Sequence, residues 1–193
     1  QFIEELTQQG QSLESATKEI EICMDRIVYY AGWCDKYQQI LSSVNPVNSS
    51  HFNFSMAEAT GVVGILAEQK TGLLGIVSQL LPVIAGGNTA VLIASEQLPL
   101  CAITFAEVLE TSDVPAGVVN ILTGKTAELA PWFASHMDID GLDITGLDSK
   151  LVAEVKVAGA QNLKRIHAFK EVATPGRILA FMESKTVWHP IGV

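Results

Sequence analysis

The apolar positions of this chain fall into blocks whose spacing changes along its length, and the densest runs from Gly61 to Glu96, GVVGILAEQKTGLLGIVSQLLPVIAGGNTAVLIASE. Gly61 to Ala67 is a short unbroken apolar run, the pattern of a strand covered on both faces, where polar alternation has no role. Glu68-Gln69-Lys70-Thr71-Gly72 interrupts it as a turn. Leu73, Leu74, Ile76, Val77, Leu80, Leu81 and Ile84 then recur at helical spacing until Gly86-Gly87-Asn88 stops the run. Thr89 to Ile93 follows as a second buried strand. Strand, crossing helix and strand make one βαβ unit. Ligands of open parallel sheets sit outside the carboxyl ends of the strands, so function is expected at 66–72 and 93–96.

Upstream, Leu13, Ala16, Ile20, Cys23, Ile27, Ala31 and Cys34 keep a period of three to four and predict a long amphipathic helix. Tyr29-Tyr30-Ala31-Gly32-Trp33 forms the core side of its closing turn. Residues 42–60 combine turn residues with weak alternation at His51 to Ser55, the pattern of a loop or edge hairpin. Downstream, Pro99 opens a helix to about Glu110, Val118 to Leu122 is a third strand, and a helix occupies 126–135. Ile139 to Ile144 is a fourth strand, another helix begins near Gly146-Leu147-Asp148, and Leu163 to Ala168 is a fifth strand. Helix and strand alternate from 61 to 169, the pattern of a doubly wound α/β domain. The expected divisions are a helical segment with an edge hairpin over 1–60, the α/β unit over 61–173, and a tail over 174–193. In that tail Ile178 to Met182 and Thr186 to Trp188 pair as a C-terminal strand ribbon.

Composition narrows the function. The 193 residues are 48% hydrophobic, ample for a core, and the net charge of -9 with only 12 Lys and Arg opposes a nucleic-acid partner. The one local basic cluster is Lys164-Arg165. Cys23, Cys34 and Cys101 are odd in number and lack metal or redox spacing, so a reduced, cytoplasmic chain is expected. The apolar stretch from Leu73 to Ser95 is cut by Gln79, Pro82 and Gly86-Gly87-Asn88 into pieces too short for a membrane span, and no signal peptide is visible, although Gln1 is not a natural start.

Two local motifs fail on spacing and a third on compartment. Gly124-Lys125-Thr126 lacks the preceding glycine of a phosphate loop, because that position is Val119. The acidic run Asp138 to Asp143 puts His136 and Leu147 at the end ligand positions of an EF-hand loop, which suits carboxylates at strand ends better than calcium. Asn48-Ser49-Ser50 and Asn53-Phe54-Ser55 match the glycosylation sequon, which a cytoplasmic chain does not use. His136 and His189 have no Cys or Ser partner placed beside them in sequence.

Gly61-Val62-Val63-Gly64, Pro82, Ala85-Gly86-Gly87-Asn88-Thr89 and Ser95-Glu96-Gln97 resemble, with these gaps, the coenzyme-binding domain of aldehyde dehydrogenases. Tyr29 to Lys36, Pro115 to Ile121, Ser135 to Asp140, Thr145-Gly146 and Asn162 to Ile166 extend the resemblance over most of the chain. It implies a Rossmann-type NAD-binding fold, with Glu96, Gly124 and Gly146 as the surviving coenzyme positions. The family's chemistry is altered one position after another. Its oxyanion-stabilising Pro-Trp-Asn-Phe-Pro turn reads Glu68-Gln69-Lys70-Thr71-Gly72, and its ribose-gripping Lys is Ile93. The glycines expected after Gly124 are Thr126 and Ala130, the pyrophosphate Ser is Leu147, and the general-base Glu is Phe169, followed by Lys170-Glu171. The domain bearing the nucleophilic Cys is missing, and Cys23 and Cys34, on the core face of a helix, and Cys101, at a helix start, do not replace it.

A chain that keeps the scaffold and drops the chemistry resembles the truncated second copy at the C-terminus of double-module, family-sixteen aldehyde dehydrogenases, and Glu183 to Gly192 is similar to that family's ending. The resemblance implies a non-catalytic domain with a vestigial NAD site and no cofactor of its own. Its implied partners are a catalytic module in the same polypeptide and a second copy in a homodimer. Ile178, Leu179, Phe181, Val187 and Trp188 form the candidate interface, against which stands a tail that merely covers its own edge strand. The alternative is the NAD-binding half of an aldehyde dehydrogenase whose catalytic half lies elsewhere. A third reading has another nucleotide or acyl ligand held through Lys70.

Overall fold

The computed structural model describes residues 1–170 and 173–192. The chain opens with three helices, α1 (Phe2–Gln8), α2 (Leu13–Ala31) and α3 (Tyr37–Leu41), followed by β1 (Ser43–Asn45) and β2 (His51–Ala59). The βαβ unit is β3 (Val62–Leu66), α4 (Leu74–Ala85) and β4 (Thr89–Ile93). Then come α5 (Leu100–Glu110), β5 (Val119–Leu122), α6 (Thr126–Ser135), β6 (Gly141–Asp143), α7 (Ser149–Ala160), β7 (Arg165–His167), α8 (Gly176–Leu179) and β8 (Met182–Pro190).

Five strands form a parallel sheet in the order β5-β4-β3-β6-β7. In chain order that is third, second, first, fourth, fifth, the doubly wound Rossmann arrangement, with the direction of winding reversing between β3 and β6. Alternate strand residues feed two cores. Val63, Ile65, Ala90 and Leu92 pack with Ile76 and Leu80 of α4, Cys101 and Phe105 of α5, and Ala16 and Cys23 of α2. Leu66, Ile93 and Leu142 pack on the other face with Ala130 and Phe133 of α6 and Val155 of α7. Both faces are covered, which is why these strands read as continuous apolar runs.

The start of the sheet is fixed by short-range chemistry. Gly61 has φ +136°, and a side chain there would meet the Asp140 carboxylate at 2.2 Å. Asp140 instead accepts the Val62 N–H at 2.8 Å, and Asn88 accepts the Gly61 N–H at 3.0 Å while donating to the carbonyls of Val83 and Phe181.

A second sheet, β1-β2-β8, is antiparallel, with β2 and β8 in register from His51↔Pro190 to Ala59↔Met182. The tail expectation is corrected here. Ile178 to Met182 is not a strand: Ile178 lies in α8, and Ile178 and Phe181 are buried within this chain. The apolar run carried no period to separate strand from helix, and burial against α4 and β2 decided it. The strand partner of β8 is β2, far away in sequence, rather than a neighbouring tail strand.

The α2 stripe is also narrower than its periodicity predicts. Ala16, Cys23 and Tyr30 are buried with Glu19, while Leu13 and Ile27 are exposed, and Cys34 lies exposed beyond the helix end. No helix of the described residues is long and apolar enough to cross a membrane.

Candidate functional site

The carboxyl ends of β3, β4 and β5 are tied together by side chains. Gln69 donates to the Ala67 carbonyl at 2.8 Å and accepts the Glu96 N–H at 2.8 Å, and the Ser95 hydroxyl donates to the Gln69 carbonyl at 3.0 Å. Glu96 in turn accepts the Thr126 N–H at 2.6 Å, at the first residue of α6. Beneath this net Ile93 and Leu66 are fully buried, and Leu147 packs against their cluster. At the switch point the loops after β3 and β6 touch. Gly146 donates to the Leu66 carbonyl at 3.1 Å, and any Cβ at Gly146 would lie 2.0 Å from the Ala67 oxygen. Gly124 is spaced by packing as well, since a Cβ there would meet Leu129 at 2.9 Å.

Helix N-termini at this end of a Rossmann sheet are natural anion sites, because unpaired N–H groups and the helix dipole favour negative charge. Here three of them are occupied by the chain's own carboxylates. Glu19 of α2, only 6% exposed, accepts the N–H groups of Gly72, Leu73 and Leu74 at 2.9, 2.8 and 3.0 Å at the start of α4. Glu96 occupies α6, and Asp148 accepts the Lys150 N–H at 2.8 Å at the start of α7.

Beside the switch point, on the β6 and β7 side, lies a polar cavity of about 330 Å³. Arg26 of α2, Arg177 of α8 and Lys170 line it, together with Glu68, Ser78, Gln79, Thr145 and Phe169. The two arginines converge on Ser78: Arg26 donates to its hydroxyl and Arg177 to its carbonyl at 2.7 Å. Arg177 is 4% exposed, and its guanidinium lies 4.5 Å from the centre of the Phe169 ring. Asp143, which accepts the N–H of the lining residue Thr145, is buried, and burial raises its carboxyl above the usual range despite hydrogen bonds from Thr145.

This scaffold is shared with known proteins. A family model described as "Aldehyde dehydrogenase family" matches residues 3–175. The chain belongs to the aldehyde dehydrogenase family. Omega-crystallin of Enteroctopus dofleini is 31% identical over 156 residues, covering 81% of this chain and 31% of the crystallin. The mitochondrial aldehyde dehydrogenase of Sus scrofa is 33% identical over 148 residues, covering 77% of this chain and 28% of that enzyme. Among solved structures, the NAD+ complex of an aldehyde dehydrogenase from Bacillus cereus superposes with a TM-score of 0.73 at 25% identity, over 81% of this chain and 31% of that one. The chain thus spans about a third of the length of the relatives it matches.

Within this aldehyde dehydrogenase scaffold, the structure places the three expected coenzyme positions at one end of the sheet and engages each locally. Glu96 caps α6, Gly146 permits the contact with Ala67, and Gly124 clears Leu129. These residues do not fit a dinucleotide: the position that the resemblance gives to a ribose-gripping lysine is the buried Ile93, and carboxylates already occupy three helix N-termini. Lys70 is exposed and outside the cavity, Phe169 is half-buried at its edge, and Glu171 lies outside the described residues. Cys23 and Cys101 are buried, and burial pushes both thiols up to about 12, which leaves them poor nucleophiles.

Of the cavity residues, Glu68, Thr145, Phe169 and Lys170 entered the sequence reading, as positions where the family's motifs fall, with Phe169 at the general-base position. Arg26 and Arg177 were missed, because neither sits in a local motif and only the packing of α2 and α8 against α4 brings them together. The basic pair Lys164-Arg165 is spent on the chain itself: Lys164 donates to the His136 and Ile139 carbonyls, and Arg165 pairs with Glu183 at 2.8 Å.

Proposed function

We propose that this chain is a non-catalytic aldehyde-dehydrogenase-like domain, a pseudoenzyme that serves packing or dimer assembly of a larger dehydrogenase polypeptide. The observation that carries this reading is the occupation of the α4, α6 and α7 N-termini by Glu19, Glu96 and Asp148, over the buried Ile93. Calorimetric titration of the 193-residue chain with NAD and NADH tests it. The expected result is no heat of binding up to about 1 mM, the concentration at which even a weak site of -4 kcal/mol half-fills. Micromolar binding overturns it.

Assembly draws support from β8, whose nine residues pair with β2 on one edge and, among the described residues, with no strand on the other. Such an edge accepts a strand from a partner. The interface lies on this edge around Val187 and the 58% exposed Trp188, because Ile178 and Phe181 are buried inside the chain. Removing 174–193 would expose that core, so Trp188→Glu is the cleaner variant. It is expected to lower the dimer fraction in sedimentation without lowering the melting temperature.

The second reading, the NAD-binding half of a dehydrogenase completed elsewhere, draws on the relatives' threefold greater length and on the likeness to an NAD+ complex. The same titration separates the two.

A further inference from the structure

We infer that the cavity between α2, α4 and α8 is a binding site for a small oxyanion carrying about two negative charges, held by Arg26, Arg177 and Lys170. Two of the chain's three arginines meet here, in a protein of net charge -9. The lining holds three cations against the single carboxylate of Glu68, a formal balance of two positive charges. Arg177 is 96% buried as its 4% exposure states, and among the described residues no carboxylate lies within ion-pair distance of it or of Arg26. Among the described residues, the Nε atoms of both arginines are buried with no hydrogen-bond partner.

A buried guanidinium such as that of Arg177 is costly without a counter-ion, and the half-buried Arg26 beside it adds repulsion. Arg26 registers both effects: burial first, and then Arg177, hold it below the usual arginine range. An oxyanion in the cavity offsets both positive charges at once, and the planar arginine fork suits carboxylate and phosphate oxygens. The volume of 330 Å³ accommodates a phosphate or small dicarboxylate with water, and Phe169 and Leu74 supply an apolar wall for a short organic part. The site is independent of the coenzyme reading, since Ile93, Glu96 and Leu147 do not line it.

Inorganic phosphate and succinate, titrated separately by calorimetry and thermal shift at constant ionic strength, test the assignment, with chloride as the reference. Saturable binding of either is expected, and which one binds more tightly distinguishes a phosphate from an organic-acid ligand. Lys170→Gln, at an exposed position, and Arg26→Gln each weaken it about tenfold, the equivalent of one charge-assisted hydrogen bond. Lys70→Gln, outside the cavity, leaves it unchanged. Repeating the titration in Glu171→Gln removes the carboxylate next in sequence to Lys170 as a competitor. Absence of saturation by both anions in both backgrounds, or saturation indifferent to Lys170→Gln and Arg26→Gln, overturns the site.

Discussion

The Glu96 carboxylate lies 2.6 Å from the Thr126 nitrogen, so the acid that the family's pattern assigns to a coenzyme ribose closes the N-terminus of α6 in this chain. Lys125, the residue before that helix, supplies no side-chain cap, which leaves Glu96 to do it from the end of β4. Glu96→Ala is therefore expected to destabilise the fold by about 1 kcal/mol, a typical loss of a helix cap. Urea unfolding measures the loss, and faster amide exchange confined to the first turn of α6 locates it.

Glu19 performs the same task for α4 under greater burial, with one oxygen accepting three N–H groups and the other accepting from Gln11 at 2.9 Å. Glu19→Ala leaves three inward-facing donors unpaired and is expected to cost about 3 kcal/mol or more in urea unfolding. A loss below that of Glu96→Ala would show that water replaces the carboxylate there.

Gly146 is held by contact with Ala67, where a Cβ would sit 2.0 Å from the carbonyl oxygen. The clash is with backbone, which cannot rotate away. Gly146→Ala is expected to cost at least about 2 kcal/mol by overpacking and to part the loops after β3 and β6. The melting temperature checks this; an unshifted transition would mean that the loops separate freely.

Burial raises the Asp143 carboxyl above 3.8, its ordinary value, although Thr145, Arg177 and Gln79 pull the other way. A carboxyl whose folded value is raised contributes stability that is complete below the unfolded value and is lost as pH climbs through the folded one. Asp143→Asn removes that dependence. The unfolding free energy of the variant is expected to rise relative to the native chain from acid pH toward neutrality, and parallel profiles would contradict the burial argument.

The thiols separate by exposure. Cys34 is exposed, whereas Cys23 and Cys101 are buried and pushed up to about 12. A thiol reagent at pH near 8 is expected to label Cys34 alone in the folded chain and all three cysteines in denaturant, as mass spectrometry reads directly.

Much of the architecture was legible because each element carried its own signal. Thr89 to Ile93 has the bounds read from the sequence, since turn residues flank its apolar run, and the helix expected near 126–135 runs from Thr126 to Ser135. The hairpin at 51–59 was half legible, as weak alternation with no sign of its partner. The tail was misread because Ile178 to Met182 is apolar throughout, and only contact with Tyr30, Ala57 and α4 selects a helical turn there.

The sequence by itself determined the α/β alternation, the family, and the apolar residues Ile93 and Leu147 at positions where the resemblance expects a lysine and a serine, because those are properties of single positions and short runs. Tertiary structure decided what the remaining polar residues do. Glu96 meets Thr126, Glu19 meets the start of α4, and Arg26 meets Arg177 across Ser78 only after the sheet, α2 and α8 have packed. Hydrogen bonds and charge depend on distances of a few ångströms, and residues far apart along the chain acquire those distances only through the fold.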